Sequence, residues 1–292
     1  MRGFFTRFSG ELQATLILHA RYWLEAVATW MGFLIVFVAL FFGIQLITGG
    51  VGFSEWGQEA AIRYAIWVLC LTAVVGLPEK IQEEAMTGVL EQRFLAPKGG
   101  ISSLIMSHIA GLLFWSLGTT LVFFAMVFVT RTSVYFDWGV LPVVLLILLG
   151  IEGVGYFLAG LALLFKRIGA VTQLLQTALL GLALLPVDRL PSVWQVVVQM
   201  LPLAAGTPLL NDLLLRRINF DTAVNRSDFW LLIIDSMAYL VIGLASFRWA
   251  ARRARQHGLP VSLERLTVLF EQRLKADRPA IPTELGLIIA DL

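Results

Sequence analysis

The chain has 292 residues, of which 58% are hydrophobic and 14% charged, and its mean hydropathy is +0.82, a balance that excludes a soluble globular domain or a disordered chain. Twenty-two Lys and Arg against 20 Asp and Glu leave a net charge of +2, which gives no basis for binding nucleic acid. One cysteine (Cys70) rules out a disulfide scaffold, and three scattered histidines (His19, His108, His257) supply too few ligands for a metal site, so no metal is expected.

The composition predicts an all-α polytopic membrane protein, and windows of roughly 20 apolar residues, the length that crosses roughly 30 Å of hydrocarbon, locate its spans. Residues 1–25 read as a cytoplasmic interfacial helix, because Leu12, Leu16, Trp23 and Leu24 alternate with Glu11, His19 and Arg21. The basic start imitates a signal peptide, but the apolar run that follows is too long for a signal core and no cleavage is expected. Residues 26–250 form a six-span transmembrane domain. The first span centres on Val27 to Ile47. The second, Ala60 to Leu77, carries Arg63 near its start, with the guanidinium expected to snorkel and the helix to end before Pro78. Gly99 to Thr130 is the third, Trp138 to Phe165 the fourth, and Ile168 to Val187 follows so closely that a tight hairpin with the fourth is expected. Val193 to Leu203, inside segment 190–212, is too short to cross and is bounded by prolines, which predicts an outer re-entrant hairpin. Phe229 to Phe247 is the sixth span. Residues 251–292 form a cytoplasmic tail in which Leu263, Leu266, Phe270 and Leu274 mark an amphipathic helix.

Sixteen of the 22 basic residues fall in the N-terminus, segment 78–98, the Lys166/Arg167 turn and the stretch after the sixth span from Arg248 onward, which predicts cytoplasmic termini. Segment 78–98 is far longer than a simple connector and reads as a helix with acids on one side and Leu90, Phe94 and Leu95 on the other, closed by Pro97-Lys98-Gly99-Gly100. Glu152 lies near the middle of the fourth span, flanked by Gly150, Gly153 and Gly155. A charge there costs about 3 kcal/mol or more unless paired, so it lines a pathway or is a carboxyl packed across a helix interface. Asp235 lies nearer the outer end of the sixth span, where a role beside the headgroups suffices. His108 reads as a packed neutral histidine and Cys70 as a small buried hydrophobe. Phe33/Phe37/Phe41/Phe42 and Phe123/Phe124/Phe128 line a path for a greasy substrate or pack helices.

Glu84-x-x-x-Gly88-x-x-Glu91 closing with Pro97, just after the second of six spans, resembles the acidic coupling segment of ABC-2-type permeases, the membrane subunits of bacterial ABC exporters. Leu190-Pro191-x-x-Trp194 with Pro202 resembles that family's re-entrant segment, and the flat N-terminal helix its connecting helix; Gly88-Val89 departs from the family's usual Gly-Thr. The resemblance implies a permease that pairs with a second, identical or homologous permease in the inner membrane. It also implies that Glu83, Glu84, Gly88, Glu91, Arg93 and Pro97 dock on a nucleotide-binding subunit. The chain has no G-x-x-x-x-G-K-[S/T] loop, so it is not expected to be an enzyme, and ATP and Mg belong to that partner. An amphiphilic or hydrophobic substrate such as a lipid, drug or antibiotic is expected. The alternatives are an ion-gradient-driven secondary transporter using Glu152 and Asp235, an intramembrane enzyme, for which no catalytic motif is present, and a scaffold that recruits a cytoplasmic partner.

Overall fold

A computed structural model of the chain describes residues 2–48, 53–95, 100–131, 133–165, 168–184 and 191–257, and the described residues contain helices and connecting turns but no strand. In chain order they are α1 (Arg2–Arg21), α2 (Trp23–Thr48), α3 (Phe53–Thr87), α4 (Val89–Leu95), α5 (Gly100–Thr130), α6 (Val140–Leu164), α7 (Gly169–Leu184), α8 (Ser192–Gln199), α9 (Pro202–Leu214), α10 (Phe220–Val224) and α11 (Ser227–His257). Among the described residues five stretches are long and apolar enough to cross a membrane: Trp23–Gly43, Gln58–Thr87, Ser102–Thr130, Val140–Leu164 and Ser227–Ala254. Of the expected fifth span, Ile168 to Val187, the described part is α7, 16 residues or about 24 Å against the roughly 30 Å of a hydrocarbon core, and residues 185–187 lie outside the described residues. The tail residues Leu263, Leu266, Phe270 and Leu274 lie outside the described residues.

Three local expectations change. The first helix, expected over residues 1–25, runs from Arg2 to Arg21 and breaks at the turn residue Tyr22, so α2 begins at Trp23. Pro78 does not end the second span: α3 continues through it to Thr87. Proline removes only the bond that its own N–H would give to the carbonyl of Val74, and the buried contacts on both sides carry the helix across the gap. Finally, α7 packs on α3 and touches α9 rather than folding back on α6 as a hairpin.

The helix that organises the bundle is α6, which packs along α11 and also touches α3 and α9. Lipid offers no hydrophobic drive for helices to associate, so close backbone approach at small residues takes its place. Gly153 lies against the backbone of Tyr239 and Leu240, and Gly243 of α11 lies against the carbonyl of Gly153 in return. One turn away Gly150 seats the ring of Pro202 from α9, and Gly155 meets the Ala73 carbonyl of α3. On the other side of the bundle α2 packs by aromatic contact. Phe37 stacks on Tyr64 and Phe41, Phe33 meets Trp67 edge-on, and the Tyr64 hydroxyl donates to the Phe33 carbonyl at 2.9 Å. These rings pack helices, whereas Phe124 and Phe128 are exposed. Cys70 is fully buried, as expected of a small hydrophobe.

Because the neighbour of Gly243 is backbone and not a mobile side chain, Gly243→Ala is expected to destabilise the protein by about 2 kcal/mol. Gly111→Ala, with nothing within 4 Å, is expected to be neutral or stabilising by up to about 1 kcal/mol. Thermal unfolding of both variants in detergent checks this, and equal midpoints would refute the backbone contact.

Candidate functional site

Beyond Leu77, α3 extends about ten residues past its apolar run and turns at Gly88 into α4. Along this overhang Leu77, Ile81, Glu84 and Gly88 are buried, the three- and four-residue spacing of one helix face. Gly88 has φ of 78°, the left-handed region in which a Cβ is disfavoured, so its role is the sharp reversal itself and not merely room for a neighbour. The reversal folds Arg93 of α4 back onto α3, where its guanidinium lies 2.9 Å from the carboxylate of Glu84. Arg93 also donates to Ser103 of α5 at 2.8 Å, and the Ser103 hydroxyl donates to Glu11 of α1 at 2.6 Å. One turn earlier the Lys80 ammonium donates to Ser107 of α5 at 2.6 Å. The base of the turn is thus tied to α1 and α5 by charge-assisted bonds.

This arrangement divides the residues grouped by sequence. Glu84 and Arg93 are engaged with each other inside the protein, whereas Glu83 is exposed, together with Glu79, Met86, Thr87, Val89 and Gln92. The acid face is therefore split between an internal brace and an external tip. The side chain of Glu91 and all of Pro97 lie outside the described residues.

Glu152 is buried in α6, and Nε2 of His108 on α5 lies 3.0 and 3.1 Å from its two carboxyl oxygens. His108 is likewise buried, with Gly76 of α3 against its ring and Tyr156 edge-on at 6.4 Å. Tyr156 in turn packs on Phe247 of α11. Glu152 of α6 is therefore a buried carboxyl whose partner is His108 of α5, the two helices both packing on α3. Asp235 sits apart on α11, half-buried, with no hydrogen-bond or ion-pair partner among the described residues. The structure does not join it to Glu152. Neighbouring Ser236 is fully buried at the α6 side, and its hydroxyl has no partner among the described residues.

A third polar cluster was not anticipated. At the opposite end of α3 from Gly88, Glu59 and Arg63 pair at 3.1 Å, and nearby Asp212 of α9 takes Arg216 at 3.0 Å and Arg226 on its other oxygen. The sequence does hold a signal here, an acid four residues before an arginine at 212 and 216, which pairs on one helix face. Arg63, whose guanidinium is expected to snorkel, pairs with the Glu59 carboxylate. Among the described residues no group of three or more His, Cys, Asp or Glu side chains is placed to hold a metal.

Five long apolar helices among the described residues, around a shared buried core, define an α-helical, multi-pass membrane protein. Comparison with protein-family models, with curated proteins and with solved structures finds no match for the chain.

Removing one member of the buried pair isolates its partner, so His108→Leu is expected to cost about 3 kcal/mol, while the double variant His108→Leu/Glu152→Leu recovers most of that loss. A thermal-unfolding cycle of the two singles and the double measures the coupling, and simple additivity would show that the pair contributes nothing.

Proposed function

We propose that this chain is the membrane subunit of an ATP-driven exporter of the ABC-2 type, working in pairs with an identical or homologous permease in the inner membrane. In this reading α1 is the interfacial connecting helix, the Gly88 turn is the coupling element, and α8 and α9 form the outer re-entrant hairpin. The short α7 serves as the remaining crossing, so that six spans leave both termini cytoplasmic. A separate nucleotide-binding subunit carries ATP and Mg, and the cargo is an amphiphilic or hydrophobic molecule such as a lipid or drug-like compound moved outward by alternating access.

The observation that carries the reading is the Gly88 turn. Its base is braced to two other helices through Arg93, Ser103 and Glu11, while its tip presents Glu83, Met86 and Val89 to solvent. A turn needed only to reverse the chain would not require such bracing. A partner pressing on the tip would act on a stiff lever, and exposed apolar Met86 beside acidic Glu83 suits a groove that combines a greasy floor with a basic rim. Glu83 and the turn at Gly88 are the docking contacts, Glu84 and Arg93 the brace, and Glu91 and Pro97 complete the family pattern.

A second reading is favoured by one specific feature. The buried His108–Glu152 pair sets an imidazole against a carboxyl inside the bundle, a polar contact of the kind a proton-driven transporter would need. In that reading Asp235, apart from the pair on α11, is a separate proton site.

In proteoliposomes containing the chain and its co-purifying ATPase subunit, Gly88→Val is expected to lower transport-coupled ATP hydrolysis at least tenfold. The β-branched side chain costs about 1–3 kcal/mol of backbone strain at positive φ and reorients the tip. Glu83→Lys, which leaves the brace intact, is expected to weaken ATPase association without changing the melting temperature. Failure of any nucleotide-binding subunit to co-purify, combined with uptake driven by a pH gradient alone and abolished by Glu152→Gln, would overturn the exporter reading in favour of the second.

A further inference from the structure

We propose that the charged cavity at the end of the bundle opposite Gly88 is a binding site for a phosphate ester, a headgroup that carries both a phosphate anion and a hydrogen-bond donor. The cavity has a volume of about 200 Å³, is partly open to the surface, and is lined by Glu59, Arg63, Asn211, Asp212, Arg216 and Arg226 among others. Three guanidinium groups and two carboxylates line it, and a third carboxylate, that of exposed Asp228, lies 3.9 Å from Arg226, so the attraction for an anion rests on the guanidinium N–H groups that these acids leave unused and not on a net charge.

Those N–H groups are spoken for only in part. Asp212, buried on α9, accepts one bond from Nη1 of Arg216 and one from Nη1 of Arg226, each through a different oxygen. A guanidinium has five N–H donors in a planar fork, so both arginines keep donors after the Asp212 bond. Their side chains are 68% and 43% exposed, which gives an incoming anion access to them. Asp212 thus acts as a fixed post that holds two forks side by side, and a tetrahedral oxyanion matches paired forks better than a single carboxylate does.

The second requirement comes from Asn211. It is only 5% exposed, lines the same cavity, and its Oδ1 has no hydrogen-bond partner among the described residues. A buried acceptor left unmatched is unfavourable, and a hydroxyl or ammonium on the ligand would satisfy it. Glu59, which accepts from Arg63 at 3.1 Å, adds acceptor capacity on the opposite wall. The ligand therefore combines anion and donor.

Size and depth narrow the class further. A volume of about 200 Å³ holds several waters at about 30 Å³ each, enough for a headgroup and too small for an acyl chain. The apolar run of α3 begins at Ala60, so Glu59 and Arg63 lie at the level where a crossing helix leaves the hydrocarbon and meets the headgroups. The source of the phosphate ester is then either a membrane lipid, its tails lying outside the cavity, or a soluble ester. The site is independent of the exporter reading: Arg63 and Gly88 are about 37 Å apart along α3, taking 1.5 Å per residue.

The test uses the purified full chain in a phosphate-free maltoside detergent, titrated calorimetrically with inorganic phosphate, glycerol phosphate and dihexanoyl phosphatidylglycerol. Glycerol phosphate is expected to bind saturably and at least threefold more tightly than inorganic phosphate, and Asn211→Leu to erase that preference. Arg216→Lys/Arg226→Lys, which keeps the charge and removes the forks, is expected to lower affinity at least tenfold. A short-chain lipid that binds at least tenfold more tightly than glycerol phosphate assigns the site to membrane lipid, and equal affinity assigns it to a soluble ester. Should the Lys pair not fold, the unaltered chain decides: phenylglyoxal labelling of Arg216 and Arg226, read by peptide mass spectrometry, is expected to fall at least threefold with saturating glycerol phosphate. No saturable binding of any of the three ligands, unchanged affinity in the variants, or unprotected arginines would each overturn the proposal. No ATPase enters the experiment, so its failure and that of the exporter reading are separate outcomes.

Discussion

Backbone contact between α6 and α11, made where Gly153 and Gly243 face each other, sets the position of everything else in the bundle. In a soluble protein such a contact would be one among many, because water drives apolar side chains together regardless of fine geometry. In lipid the tails are as apolar as leucine, and only dense packing distinguishes helix from solvent. The same helix then registers its other neighbours, since Gly150 receives Pro202 and Gly155 receives Ala73. Displacing α6 outward by the width of one methyl group would shift Glu152 relative to His108 and lift α9 from its seat.

The charged groups obey a different rule at each depth. Near the middle of the bundle an unpaired carboxylate costs about 3 kcal/mol or more, and Glu152 meets that with His108 held on a neighbouring helix. At the Gly88 end, Glu84 and Arg93 are only partly shielded, with side-chain exposures of 10% and 21%. Pairs of that kind give modest stability, of order 1 kcal/mol when solvated, so the brace matters for where it puts the turn more than for how much it stabilises. At the far end Asp212 is buried and its arginines are half or more exposed, an arrangement in which the acid organises the cations. The charge content is low, yet the described buried carboxylates each have a cationic or histidine partner.

Helix placement was legible from sequence wherever an apolar window with at most one charge exceeded about 20 residues, because hydrocarbon thickness fixes both length and composition. Val27 to Ile47 falls within α2, Gly99 to Thr130 matches α5, and Trp138 to Phe165 encloses α6. What escaped was tertiary. Pro78 looks like a stop in sequence because the missing bond is local, while the contacts that carry α3 past it come from other helices. Glu83 and Glu84 look equivalent as neighbours, but a helix turns about 100° per residue and sends them to opposite fates. The Asp212 cluster draws on α9 and on the turn before α11, and nothing in a linear reading brings Glu59 near residue 212. Likewise the partner of Glu152 stands 44 residues earlier in the chain, on a helix whose rotation the sequence does not specify.

The 35-residue α3 connects the two polar ends, and its weakest rung decides how load would travel between them. Pro78 offers no N–H to the Val74 carbonyl, so the hydrogen-bond ladder is interrupted where the apolar run gives way to the overhang. On one side of that gap Lys80 and Glu84 tie the overhang to α5 and α4; on the other, Cys70, Ala73 and Val74 are fully buried, Ala73 against α6 at Gly155. A helix clamped on both sides of a missing rung bends at the gap rather than along its length. Gly76, two residues away, is the position whose Cβ would touch the His108 ring at 3.1 Å, so a bend at Pro78 moves backbone directly against the histidine that holds Glu152. Pro78 thus lies between the Met86 to Val89 tip and the contact of Gly76 with the histidine of the buried pair.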